Sequence, residues 1–132
     1  MDVRPLGYDR GIIPYAETSV FPADPRLVSL AEEASNALFP GRAQKKGRVL
    51  SGDQFVASRN TVRELYQELQ GACTEMEGAA VAQVCAMNSI PYVVIRSMSD
   101  KADGSAHVNF QEFTVQASQN SHKMIDEILK RI

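Results

Sequence analysis

The segment Gly78–Met87 constrains the fold more than any other, because nearly all of its residues are apolar or small. A helix that is hydrophobic on all sides is typical of burial against a sheet, not of an amphipathic position on the surface. The next segment, Tyr92–Ile95, is a continuous apolar run typical of a strand covered on both faces. Together the two segments predict a layered α/β structure.

Helix and strand signals alternate along the rest of the chain, and Asp24 followed by Pro25 predicts the first helix. The predicted elements are a helix from Pro25 that ends at Pro40-Gly41, a strand at Arg48–Leu50, a helix begun by a Thr61/Glu64 capping box and stopped by Gly71, a strand at Ala72–Thr74, the helix Gly78–Met87, a strand at Tyr92–Ile95, and a last helix capped by Asn109 and Glu112, with Phe110, Phe113, Ala117, Met124, Ile128 and Ile132 as its core candidates.

This alternation predicts a parallel or mixed sheet flanked by helices. Three strands are fewer than a sheet normally contains, and the apolar helix requires more cover than they supply. We therefore expect residues 1–132 to form the later, C-terminal part of one larger α/β domain, whose N-terminal part is missing.

Composition argues against several classes of function. The net charge is −2 and the small basic cluster near Lys45 is typical of a solvated loop, so we expect no nucleic-acid partner. We also expect no membrane association, since no apolar run approaches a membrane span and the first residues lack a signal peptide's apolar stretch. Cys73 and Cys85 lie in apolar contexts and indicate buried thiols of a reducing, cytoplasmic compartment. His107 and His122 are too far apart in sequence to suggest a metal site.

Two acids mark the ends of neighbouring predicted strands, and ligands of open α/β sheets bind outside the carboxyl ends of strands. Glu77 follows the strand at Ala72–Thr74, and Asp100 follows Tyr92–Ile95. Either acid alone is explained by structure, Glu77 as a first-turn acid and Asp100 as the start of a turn. Together they indicate a site for a polar small molecule.

Three loops supply the chemistry that a purine nucleoside site requires. Phe55, in the loop after the first strand, offers a flat face for a planar base, although alone it is better explained as a core aromatic. Glu77 is an acceptor-only carboxylate suited to paired ribose hydroxyls. An acid in a poorly solvated pocket has a raised pKa and can donate a proton near neutrality, a role suited to Asp100 beside Ser99. Cleavage of an N-glycosidic bond needs such a proton on the leaving base.

Three motifs carry a resemblance to a known family. SGDQFVAS, TEMEGAAVAQVC and VVIRSMSDKAD resemble the bacterial 5′-methylthioadenosine/S-adenosylhomocysteine nucleosidases of the purine nucleoside phosphorylase superfamily. DVRPLGYDRGIIP is similar to the family's dimer-facing segment and HVNFQEF to its C-terminal end, so the resemblance covers nearly the whole chain. It implies a nucleoside phosphorylase-like fold and a cytoplasmic homodimer that uses no cofactor or metal. The implied reaction is hydrolysis of both nucleosides to release adenine, in methionine salvage and S-adenosylhomocysteine recycling.

The resemblance also implies roles for single residues. Asp100 corresponds to the acid that protonates adenine N7, and Ser99 supports it. It implies that Met76 and Glu77 hold the ribose, that Phe55 stacks on the adenine ring, and that the Val56 backbone pairs with the edge of that ring. It further implies that Phe110 lines the pocket for the 5′-alkylthio group, and that Leu6 and Pro14 reach the active site of the other subunit.

The family's enzymes are considerably longer at the N-terminus. The resemblance implies that the family's N-terminal part, which has no counterpart here, carries the first strands, a Gly-rich loop at the ribose and the glutamate that activates water. Glu17 lies in a Pro-rich coil and is no candidate for that glutamate. Two alternatives therefore stand beside hydrolysis. One is a phosphorylase of the same superfamily, which the apolar candidates for the 5′ pocket disfavour. The other is a non-catalytic fragment that retains purine nucleoside contacts.

Overall fold

A computed structural model of the chain describes residues 3–42, 44–98 and 110–132, with the backbone alone for 110–112. After a 3-10 turn at Arg4–Leu6 the elements, in chain order, are α1 (Pro25–Leu38), β1 (Arg48–Ser51), α2 (Arg59–Leu69), β2 (Gly71–Glu75), α3 (Gly78–Met87) and α4 (Phe110–Leu129). The α/β class expected from the sequence is confirmed.

The sheet of the described part consists of β1 and β2, which run parallel. Val49 pairs with Cys73 and Ser51 with Glu75, after an irregularity between Arg48 and Val49. Parallel neighbours need a crossover connection. Here α2 makes that connection and packs against β2, while α3 packs against β1. The pairing brings the carboxyl ends of both strands to one edge.

The buried core lies between α1 and α4. Asp24 caps α1 as predicted, accepting a hydrogen bond from the backbone N–H of Leu27 at 2.9 Å. Ala34 is fully buried against Met124 and Ile128, and the prediction that these two residues of α4 belong to the core is confirmed. Ile132 was also expected in the core, and this prediction was wrong: it lies beyond the end of α4 and is exposed.

The second helix begins earlier than its predicted capping box. Ser58 is the N-cap, and its hydroxyl accepts from the backbone N–H of Thr61 at 3.5 Å, so Thr61 lies inside α2. The helix ends at Gln70, which adopts the left-handed conformation with φ of 57°. Gly71 does not stop the helix as expected but begins β2. The predicted caps of the last helix, Asn109 and Glu112, lie outside the residues whose side chains are described.

The predicted strand at Tyr92–Ile95 does not form a ladder with β1 or β2. Tyr92 instead accepts a hydrogen bond from the backbone N–H of Asp24 at 2.8 Å and donates its hydroxyl to the Phe21 carbonyl at 2.5 Å. Ile95 packs against the α1–α4 core. The segment is half-buried as its apolar residues require, and these contacts join it to the α1–α4 core and to the approach to α1.

The predicted burial of α3 holds for only one of its faces. Gly78 and Ala82 are buried, as expected for a helix packed on a sheet. On its other side Val81, Val84 and Met87 are each more than half exposed.

Among the described residues, no helix combines the length and the apolar character needed to cross a membrane.

Candidate active site

The loops after β1 and β2 leave the sheet side by side. Ser51 and Glu75, the last residues of the two strands, are register partners. The backbone N–H of Gly52 donates to the carbonyl of Glu75 at 3.1 Å, which ties the first loop to the end of the second strand. The convergence of these two loops at one sheet edge agrees with what the sequence predicted.

The carboxylate of Glu75 lies at the centre of this edge. It accepts from the backbone N–H groups of Glu77 at 3.2 Å and of Gly78 at 2.7 and 2.9 Å. It also accepts a short hydrogen bond from the Ser51 hydroxyl, whose oxygen in turn accepts from the Ala79 N–H at 2.7 Å. These contacts satisfy N–H groups in the first turn of α3, which an α-helix leaves without internal partners.

Arg96 joins two carboxylates at the site. Its guanidinium makes a close ion pair with Glu75 and a second one with Glu77 at 3.1 Å. The two acids differ in environment, since the Glu75 side chain is 9% exposed and that of Glu77 is 68% exposed. Glu77 therefore presents its carboxylate to solvent with one side held by a fixed positive charge.

The predicted site residues on these loops are accessible. Phe55 is 70% exposed and Met76 is about half exposed, while Val56 is half-buried. Phe55 is therefore not part of the core of the described residues. Exposure leaves its ring free to stack on a planar ligand.

The predicted dimer-facing segment lies over α2. Arg10 pairs with Glu68 at 3.3 Å and with Glu64 at 3.6 Å. Within the segment Leu6 is exposed and Pro14 is half-buried. Their predicted contact with a second subunit stays a prediction, as do the roles of the other site residues.

Two predicted groups of the site fall outside the described coordinates. Ser99 and Asp100 lie outside the described residues. Phe110 is the first residue of α4, and its side chain likewise lies outside the description. The structure thus assembles the β1 and β2 loops of the predicted site, and the roles of Ser99, Asp100 and Phe110 rest on sequence.

Sequence reasoning did not include Ser51, Glu75 and Arg96 among the site residues. One signal was available for Glu75. Residue 77, which precedes α3, is a glutamate and not one of the usual capping residues Ser, Thr, Asp or Asn. A helix start without its own cap requires another acceptor nearby. The acid at the end of the preceding strand supplies it.

Cys73 lies on β2, close to this charged edge. Burial raises the pKa of its thiol, and the positive charge of Arg96 partly opposes that shift.

Within the described ranges, no group of three or more His, Cys, Asp or Glu side chains is arranged to hold a metal ion. A cavity of about 420 Å³ lined by residues such as Arg59 and Tyr66 contains none of the predicted site residues.

Comparison with known proteins identifies the family of this chain. The phosphorylase superfamily matches residues 1–130. The 5′-methylthioadenosine/S-adenosylhomocysteine nucleosidase of Haemophilus influenzae (strain PittEE) is 34% identical over 99% of this chain and 56% of the relative, and that of Bacillus subtilis (strain 168) is 37% identical over 100% of this chain and 57% of the relative. The chain thus spans little more than half the length of these relatives.

Two solved structures resemble the described fold. The Neisseria meningitidis nucleosidase of the same name, in complex with methylthio-immucillin-A, is 38% identical with a TM-score of 0.85, over 100% of this chain and 57% of that one. Futalosine hydrolase of Helicobacter pylori strain 26695 is 33% identical with a TM-score of 0.86, over 99% of this chain and 55% of that one.

Proposed function

Because this chain belongs to the phosphorylase superfamily, we propose that it supplies the base- and ribose-binding part of a hydrolase that cleaves the N-glycosidic bond of 5′-methylthioadenosine and S-adenosylhomocysteine. The observation that carries the proposal is the shared edge at which β1 and β2 end. An accessible aromatic ring, Phe55, and an accessible carboxylate, Glu77, stand on the two loops that leave this edge. The names of the similar proteins favour these two substrates.

Glu77 is suited to the ribose. A carboxylate accepts hydrogen bonds and donates none, so it can pair with two neighbouring hydroxyl groups. Cleavage of an N-glycosidic bond develops positive charge on the sugar, and a fixed negative charge nearby stabilises that transition state. Met76, next to Glu77 and about half exposed, offers apolar contact on the same loop.

The base requires a stacking surface and a proton. Phe55 supplies the surface, and the backbone of Val56 is proposed to pair with the edge of the adenine. We assign the proton to Asp100, supported by Ser99, on the sequence resemblance. Protonation of N7 makes adenine a neutral leaving group, which lowers the barrier to cleavage.

The 5′-alkylthio group requires an apolar pocket. We assign it to Phe110 of one subunit together with Leu6 and Pro14 of a second copy, so the functional form is proposed to be a homodimer. The exposure of Leu6 is compatible with such a contact. Methionine salvage in the cytoplasm is the proposed context of the reaction.

An adenine-release assay tests the proposal. The complete protein that carries these residues is incubated with 5′-methylthioadenosine with and without inorganic phosphate. Equal rates of adenine release in both conditions support hydrolysis. Release that requires phosphate indicates the phosphorylase alternative. A protein that binds methylthio-immucillin-A but releases no adenine from 5′-methylthioadenosine is a non-catalytic nucleoside-binding protein.

Similarity to futalosine hydrolase supports a second candidate substrate. By TM-score, that structure aligns with this chain as closely as the nucleosidase does. Futalosine is therefore tested in the same assay at equal concentration. A kcat/KM for futalosine well above that for 5′-methylthioadenosine would reassign the 5′ specificity and leave the base and ribose assignments in place.

A further inference from the structure

We propose that Glu75 is a positioning residue of this site: it caps α3 in place of Glu77 and anchors Arg96, so that the Glu77 carboxylate remains free for the ribose. This inference rests on the proposed function for its substrate and on the geometry of the described residues for its mechanism. Glu75 itself is mostly buried and is not assigned a substrate contact.

The first step concerns the helix cap. Glu77 is the N-cap residue of α3, yet its side chain makes no capping hydrogen bond. The Glu75 carboxylate accepts the N–H groups of Glu77 and Gly78 instead, and Ser51 accepts that of Ala79. If Glu77 had to cap its own helix, its carboxylate would turn back toward the backbone. Capping by Glu75 leaves it directed away from the helix.

The space around Gly78 shows how closely the Glu75 carboxylate approaches the backbone. A Cβ atom at this position would lie 3.0 Å from both carboxylate oxygens and 3.1 Å from the carboxyl carbon. That separation is shorter than ordinary van der Waals contact. A larger residue at position 78 would therefore displace the Glu75 side chain without altering its charge.

The second step concerns Arg96, which lies between two acids of unequal exposure. Attraction between opposite charges is stronger where water is excluded, so the nearly buried Glu75 holds the guanidinium more firmly than the exposed Glu77 does. Without the negative charge of Glu75, Arg96 would pair with Glu77 alone. It would then compete with ribose hydroxyls for the same carboxylate oxygens.

The primary test is Glu75→Gln in the complete protein, assayed for adenine release from 5′-methylthioadenosine. Glutamine keeps a carbonyl acceptor for the cap but loses the ion pair with Arg96. We expect kcat to fall by up to about 100-fold, the cost of a small misplacement of a reacting group, with a smaller change in KM. Glu32→Gln is the matched control, since it removes an exposed ion pair with Lys46 at 2.8 Å and should leave kcat unchanged.

Two further variants separate positioning from a general loss of structure. Gly78→Ala should lower kcat in the same direction, because it displaces the Glu75 carboxylate while the charge remains. Glu75→Gln combined with Arg96→Gln should be no worse than the more damaging single change, since residues that act through one another are not additive. Wild-type kcat in Glu75→Gln, or fully additive losses in the double variant, would overturn the proposal.

Hydrogen exchange distinguishes failure of this inference from failure of the proposed function. The amide of Gly78 should exchange faster in Glu75→Ala than in Glu77→Ala, whichever nucleoside the protein cleaves, because alanine removes the capping acceptor that glutamine would keep. Equal exchange in the two variants would reject the cap assigned to Glu75. If the expected difference in Gly78 exchange is observed but the wild-type protein cleaves no nucleoside, the proposed function is rejected and the cap assigned to Glu75 stands.

Discussion

The two halves of this molecule use apolar residues in opposite ways. In the core half, α1 and α4 bury a compact set of side chains around Ala34, and none of the proposed site residues whose side chains are described belongs to this set. In the site half, which comprises β1, β2, α3 and Arg96, polar side chains meet at the strand ends while apolar side chains of α3 face solvent. Stability and chemistry should therefore respond to different substitutions.

The largest effect is expected from Asp100→Asn. Asparagine keeps the shape of the side chain but cannot supply the acid proton. Loss of a general acid typically lowers the rate about 10²–10⁴-fold. Adenine release by the complete protein measures the loss, and thermal unfolding checks that the fold is retained. Turnover near that of the wild type would remove Asp100 from the acid role.

In the core half, Met124→Ala should act on stability alone. Met124 is buried against Ala34 and Ile128, and truncation of such a side chain costs about 2–5 kcal/mol. Urea unfolding measures the loss. At temperatures where the variant remains folded, its KM should match that of the wild type. A raised KM in the folded variant would show that the two halves are coupled.

In the site half, Glu77→Gln should lower kcat more than it weakens ground-state binding. The carboxylate is proposed to stabilise charge that exists mainly in the transition state. We expect a loss of about 10²-fold in kcat, the size typical of one lost electrostatic contact at a reacting centre. Steady-state kinetics separate the two effects, as changes in kcat and in KM. A raised KM with unchanged kcat would make Glu77 a simple binding residue.

How far the sequence predicted the structure depends on whether a signal was local. Asp24 and Pro25 lie within one turn of the helix that they begin, so the prediction of its start was confirmed. The segment Tyr92–Ile95 has the composition of a strand, but a strand also needs a partner edge, and composition does not specify one. In the structure its Tyr92 carbonyl accepts from Asp24 and its Ile95 side chain packs against the core.

The same distinction holds for the site. Phe55 and Glu77 were selected because their residue types suit a base and a ribose. Glu75 was not selected, because its role depends on Ser51 and Arg96, which lie about twenty residues away on either side in sequence and meet it only in the fold. Because these residues meet only in the folded chain, no motif with a fixed spacing in the sequence identifies the network.

A smaller effect is expected at the uncovered face of α3. Val81, Val84 and Met87 form an exposed apolar strip, and such surfaces promote association. The 132-residue chain alone should therefore associate, and Val84→Lys should shift its elution on size exclusion toward the monomer. Val115→Lys is the control: Val115 is also 59% exposed, but the next exposed large apolar side chain along α4 is Ile125. Equal shifts would assign the association to surface charge in general.

The smallest effect concerns the Cys73 thiol, whose pKa is raised by burial and lowered in part by the charge of Arg96. In a Cys85→Ser background, iodoacetamide should alkylate native Cys73 with a pH midpoint above that of the unfolded chain. The unfolded thiol loses its proton first, so this group's contribution to stability is complete below the ordinary thiol pKa and is lost as the pH rises through the folded value.

Arg96→Gln links this measurement to the site half. Removing the positive charge should raise the midpoint of Cys73 further and slow alkylation at a fixed alkaline pH. The slowing should be less than about tenfold, the change that one full pKa unit would produce. Arg131→Gln removes a charge that pairs with Glu33 and Glu127 in the core half, and it should leave the midpoint in place. An equal response to both substitutions would mean that Cys73 senses net charge, and that Arg96 is not held beside β2.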